Sequence, residues 1–176
     1  MKNTEKVLQD KLLKLLDSYK IDEIDVNLLC NTLGIKRQTF YYHYKNIYEL
    51  IYSIYYEKKL EVNDKPTYEE ILTQALDFLY ADDFNRDVFE SNASPVLKEF
   101  ILSFLIKSFA NYLSFYKITS TQKKEESRFL ASAINEQMFY YFKDEEETKK
   151  TIYHKLSLFL NKRIIDSITK NYFLLN

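Results

Sequence analysis

Apolar side chains recur at Leu8, Leu12, Leu15, Leu16 and Tyr19, three or four residues apart, with polar residues between them. A stripe at that spacing predicts an amphipathic helix over about 4–19. A second stripe, Val26, Leu29, Cys30 and Leu33, follows at i, i+3, i+4 and i+7. Asp25 stands just before it, where a carboxylate accepts hydrogen bonds from the unpaired amides of a helix start. Gly34 stands just after it, where a helix stops on a left-handed residue. A short third helix is expected over about 37–44. Its Phe40 and Tyr44 lie four apart on one face and are expected to pack against the first and fourth helices. Asn46 and Glu49 have N-cap and N3 spacing and open a fourth helix toward residue 60.

Pro66 then interrupts the pattern, and Thr67 with Glu70 forms a capping box. A helix is expected from there to about residue 80, and a short one over 83–89. Ser94 is read as the cap of a long helix with Pro95 at its first position. Leu97, Phe100, Ile101, Phe104, Leu105, Phe109 and Leu113 surround that helix with apolar side chains, so it is expected to be central and buried. "KITSTQKKEES" reads as a polar connector. Two helices follow over about 124–142 and 145–170, the second opened by Asp144 and Glu147. The expected domains are 1–45, a connecting helix in 46–65, and 66–176.

Composition narrows the fold class. One glycine and two prolines among 176 residues leave too few turn residues for an all-β chain, so an all-α fold is expected. Hydrophobic residues make up 46%, a globular proportion. The single cysteine, Cys30, excludes an internal disulfide and fits a reducing, cytoplasmic setting. The N-terminal stretch has no apolar core of signal-peptide length. The greasiest segment, "VLKEFILSFLIKSFANYLSFY", is broken by Lys98, Glu99 and Lys107, so no membrane partner is expected. Net charge is −1, with ten Lys/Arg against eight Asp/Glu over residues 1–60 and fifteen against eighteen beyond. That imbalance permits a polyanion partner for the N-terminal part without requiring one.

The segment "LGIKRQTFYYHYKNIYEL" carries the candidate chemistry. A short helix, a glycine turn and a second short helix make a helix-turn-helix, with Ile35 able to wedge between them. The second helix is expected to expose Lys36, Arg37, Gln38, Thr39, Tyr41, Tyr42 and His43, with Lys45 just beyond. Arginine and glutamine can each make paired hydrogen bonds to a base edge, and tyrosine, histidine and lysine suit phosphate oxygens.

"VNLLCNTLGIKRQTFYYHYKNIYEL" resembles the N-terminal DNA-binding domain of the tetracycline-repressor (TetR) family of bacterial regulators. The matching positions are Val26, Leu29–Cys30, Gly34–Ile35, Thr39-Phe40-Tyr41, Tyr44 and Glu49–Leu50. The likeness covers about residues 6–54 and is most specific over 34–44. The closest likeness is to short regulators of low-GC Gram-positive bacteria. The resemblance implies a three-helix reading head, a connecting fourth helix, and a helical C-terminal domain for dimerisation and effector binding. By position it implies Arg37 and Gln38 on the base-facing side, and Thr39, Tyr41, Tyr42 and His43 at bases or phosphate. Two positions depart from the pattern. Ile47 stands where the family usually has a phosphate-gripping lysine, which Lys45 can replace. Lys36 stands where a Ser or Thr cap is usual, and it can contact phosphate but cannot accept cap hydrogen bonds.

The resemblance does not reach the residues of the C-terminal half. Ala131, Ser132 and Ala133 in mid-helix would let another helix approach, so the last two helices either form a four-helix homodimer interface or close their own core. Phe78, Phe84, Phe100, Phe104, Tyr112 and Phe115 would line a small-molecule effector pocket, with Arg86 or Asn111 as anchors, or would be core. The two histidines, His43 and His154, have no companions at metal spacing, and one glycine cannot make a phosphate loop. No metal, cofactor or catalytic residue is expected, and the chain is read as a non-enzyme. The expected function is a dimeric, sequence-specific transcription regulator, a repressor of a palindromic operator on double-stranded DNA. The alternative is a co-regulator that uses a weak helix-turn-helix to bind a partner protein.

Overall fold

The computed structural model describes residues 2–58 and 60–161. The fold is all-α, and among the described residues there is no strand. The α-helices are α1 (Lys2–Leu15), α2 (Val26–Leu33), α3 (Arg37–His43), α4 (Ile47–Lys58), α5 (Tyr68–Leu79), α6 (Asp83–Phe89), α7 (Ser94–Tyr112), α8 (Ser120–Phe142) and α9 (Lys149–Leu160). Short 3₁₀ turns occupy Ile21–Glu23 and Leu113–Phe115. No described helix is long and apolar enough to cross a membrane.

The chain divides into two compact units: Met1–Lys59 with Asp82–Phe100, and Leu60–Ala81 with the residues from Ile101 onward. This differs from the expected boundaries at 45 and 65, because α6 and the start of α7 group with the N-terminal helices. The reason is aromatic and polar. Tyr55 of α4 stacks on Phe100 with centroids 5.5 Å apart and lies 5.4 Å from Phe84. Lys58 stands 5.1 Å above the Phe84 ring and bonds Asp82 at 2.5 Å. The Asp22 carboxylate accepts from the Asn92 amide at 2.9 Å.

Within this first unit α1 packs on α2 and α4, and α2 packs on α3. Leu8, Leu12, Leu29, Cys30, Phe40, Leu50 and Ile51 are fully buried. Each such leucine, isoleucine or phenylalanine is worth about 1.5–3 kcal/mol in removal from water. α1 ends at Leu15, earlier than expected; Leu16 to Tyr19 then turn through bonds back to Leu13 and Leu15.

In the second unit α9 packs on α5 and α8. The Thr67–Glu70 capping box opens α5 as expected. Two helix starts differ from the sequence reading. α8 begins at Ser120, inside the expected connector, because Thr119 and Gln122 cap it reciprocally. α9 begins at Lys149, capped by Thr148 and Thr151. Asp144 instead accepts from the Glu146 amide in the preceding turn, at 3.0 Å. Of the expected 145–170 helix, 162–170 lie outside the described residues. α7 starts at Ser94 itself, not after it. It exposes a single narrow line, Pro95, Glu99, Ser103 and Lys107, and buries or half-buries the rest.

Candidate nucleic-acid interface

Three elements set the shape of the segment 25–49. Asp25 accepts the Leu28 amide at 2.7 Å and starts α2. Gly34 ends it at φ 66°, in the left-handed region. The Gly34 amide bonds the Asn31 carbonyl and the Ile35 amide bonds the Cys30 carbonyl, the two bonds of a Schellman motif. α3 then leaves from Lys36 with no side-chain cap, as a lysine there requires. Phe40 anchors α3 in the core and makes an edge contact of 5.5 Å with Tyr41. At the far end the Tyr44 hydroxyl accepts from Ser53 of α4 at 3.2 Å. Ser53 is in turn bonded by Gln9 of α1 at 3.1 Å. Burial pushes the Tyr44 phenol above its ordinary pKa, so it remains a neutral link in this chain of bonds.

With one face of α3 fixed inward, the other is solvent-facing. Lys36, Arg37, Gln38, Tyr41, Tyr42 and Lys45 are all exposed, Tyr41 to 56% and Tyr42 to 71%. Thr39 is half-buried. His43 departs from the expectation that it is exposed. Its side chain is only 6% exposed and its Nδ1 lies 3.2 Å from the Glu5 carboxylate of α1. One turn beyond Thr39, the ring comes round to the core side of the helix, between the rings of Tyr42 and Tyr44.

The electrostatics of this surface have a signal that the overall charge hides. Residues 26–48 contain no Asp or Glu, yet they contain Lys36, Arg37 and Lys45. The flanking acids are engaged locally. Asp25 caps α2, Glu49 accepts the Lys45 amide at 2.6 Å, and Glu5 is on His43. Among the described residues no carboxylate forms an ion pair with Lys36, Arg37 or Lys45. Burial raises the pKa of the Cys30 thiol, and the nearby Arg37 charge pulls it back down in part. A face with three unpaired cations, two exposed phenols and an amide can hydrogen-bond an anionic, edge-patterned polymer. Glu49 also corrects a detail of α4: Asn46 accepts the Glu49 amide at 2.9 Å, but the Glu49 carboxylate reaches Lys45, one residue before the cap.

The expected effector residues are divided between the two units. Phe84, Arg86 and Phe100 belong to the first unit, where Arg86 lies 3.9 Å from Glu90. Phe78 and Phe104 are buried in the second unit. Asn111 donates to the Asn63 carbonyl at 2.8 Å. Tyr112 and Phe115 of the set line a common hollow. Of the small-residue patch, Ala131 is buried in the core, Ser132 is exposed and Ala133 is half-buried. No protein-family model matches the chain, and no curated protein matches it.

Proposed function

We propose that α2, the Gly34 turn and α3 are a helix-turn-helix that reads double-stranded DNA, and that the chain is a dimeric transcription regulator. The reading is of a repressor released by a small-molecule effector. The observation that carries the DNA reading is the carboxylate-free, unpaired face of α3. Its lysines and arginine have no partner of their own among the described residues, and its aromatic hydroxyls stand in solvent. In this reading Arg37 and Gln38, at the start of α3, meet base edges, since recognition helices read with their N-terminal residues. Lys36, Tyr41, Tyr42 and Lys45 hold phosphate. Thr39 contributes at the edge of the face, and His43 positions the helix through Glu5.

Dimerisation follows from the same reading, because a palindrome needs two recognition helices about 34–36 Å apart. Support comes from α8. Phe129 and Tyr140 are 64% and 71% exposed and share one helical stripe with Ala133, interrupted by Glu136. Binding of duplexes from a random pool by the whole protein, followed by sequencing, tests the proposal. An inverted repeat should be enriched.

A further inference from the structure

The second unit contains a hollow of about 370 Å³ between residues 65–69 and the end of α7. Its lining includes Tyr68, Tyr112, Phe115 and Tyr116, together with Glu69 and Lys65. Four aromatic rings and a carboxylate around one small space form an unusual wall. The negative faces of phenol and phenyl rings attract a cation, above all one too weakly hydrated to prefer water. We propose that this hollow binds a small organic cation, a quaternary ammonium or an alkylated amine, seated on the aromatic faces with Glu69 supplying the counter-charge. The inference rests on the reading of this unit as the effector-bearing one only for its consequence on DNA.

Geometry favours a cation over a neutral or anionic guest. The Tyr112 and Tyr116 hydroxyls lie 2.9 Å apart and bond each other, which occupies one of their two O–H donors and holds the two lining rings together. Burial first, the Tyr116 hydroxyl second, and the Glu69 charge after them raise the Tyr112 phenol well above its ordinary pKa. A hydrogen bond to Glu69 does the same for Tyr68. The Tyr112 and Tyr68 phenols therefore stay neutral, with intact ring quadrupoles, and the carboxylate whose charge both feel is that of Glu69. Lys65, which also lines the hollow, is exposed, and among the described residues it is in no ion pair.

The test uses calorimetric titration of the full-length protein with choline and with its carbon isostere, in which a quaternary carbon replaces the nitrogen. The two differ in charge and hardly in shape. Choline is expected to bind about three- to fivefold more tightly, as a partly exposed cation–π site allows. Glu69→Gln should weaken choline several-fold and leave the isostere unchanged. Tyr116→Leu should weaken choline, and its folded state is checked by circular dichroism; Glu69→Gln, at a half-exposed helix position, keeps the test open if that variant unfolds. Equal binding of the two guests, no binding of choline, or a Glu69→Gln variant that binds choline as well as the parent would overturn the proposal. Because no DNA is present, these results are separate from success or failure of the DNA-binding reading.

Discussion

His43 of α3 and Glu5 of α1 are joined across 38 residues of sequence by a 3.2 Å contact between Nδ1 and Oε1. The contact holds the C-terminal end of α3 against α1 and turns the histidine away from the exposed face. A positioning role and a phosphate-binding role give different results on substitution. His43→Ala should lower stability by about 1 kcal/mol, the usual worth of a side-chain hydrogen bond. It should leave the salt dependence of DNA binding unchanged. Urea unfolding and binding titrations across salt concentrations measure the two effects. A salt slope shallower by about one unit per subunit would return His43 to the phosphate contacts.

Gly34 is the chain's sole glycine, and the space around it is open: an added Cβ would meet no atom within 4 Å. Any cost of substitution is therefore a backbone cost. At φ 66° an alanine should destabilise the first unit by about 1–2 kcal/mol. Asparagine, which tolerates the left-handed region better, should cost less. Chemical denaturation of Gly34→Ala and Gly34→Asn checks the order, and an alanine variant as stable as the parent would contradict it.

Arg37→Ala and Lys45→Ala should separate reading from holding. The first should relax sequence preference and cost about 1–3 kcal/mol per lost base contact. The second should weaken all duplexes alike and flatten the salt slope by about one unit per subunit. Competition between a selected operator and random DNA distinguishes them. Unchanged preference in Arg37→Ala would move base reading elsewhere on α3.

Ala133 lies between exposed Phe129 and Tyr140 on α8. If that stripe is the homodimer interface, Ala133→Glu places an unpaired charge in it, beside Glu136, at a cost of several kcal/mol. Sedimentation should then report a folded monomer. A folded, fully dimeric variant would put the interface on another surface.

Much of the helix layout was legible because its signals are local. The Asp25 cap, the Gly34 stop and the Thr67–Glu70 box each depend on residues within one turn, and each appears as expected. Local signals fail where two of them compete. Thr119 and Gln122 formed a capping box inside what reads as a connector, while Asp144 and Glu147 imitated one that Thr148 and Thr151 in fact supply. Glu147 is occupied instead by Thr151 and Lys155. Specific non-local partners were seldom legible. Nothing near His43 announces Glu5, and nothing near Phe100 announces Tyr55. The aromatic residues of the C-terminal half look alike in sequence. Only packing separates buried Phe104 from Tyr112, whose ring borders open space. The absence of acids over 26–48 was present in the sequence but is diluted in a count over residues 1–60.

The central claim, that the α3 face binds duplex DNA, is tested most directly by the salt dependence of that binding for the most enriched duplex from the random pool. Each phosphate neutralised contributes about −0.9 to the slope of log affinity against log salt. Lys36 and Lys45 from two subunits should give roughly −3.6 or steeper. Lys36→Ala with Lys45→Ala should remove most of it. No enriched duplex, or a slope near zero that the double substitution leaves unchanged, would contradict the account and leave the α3 face to a partner protein.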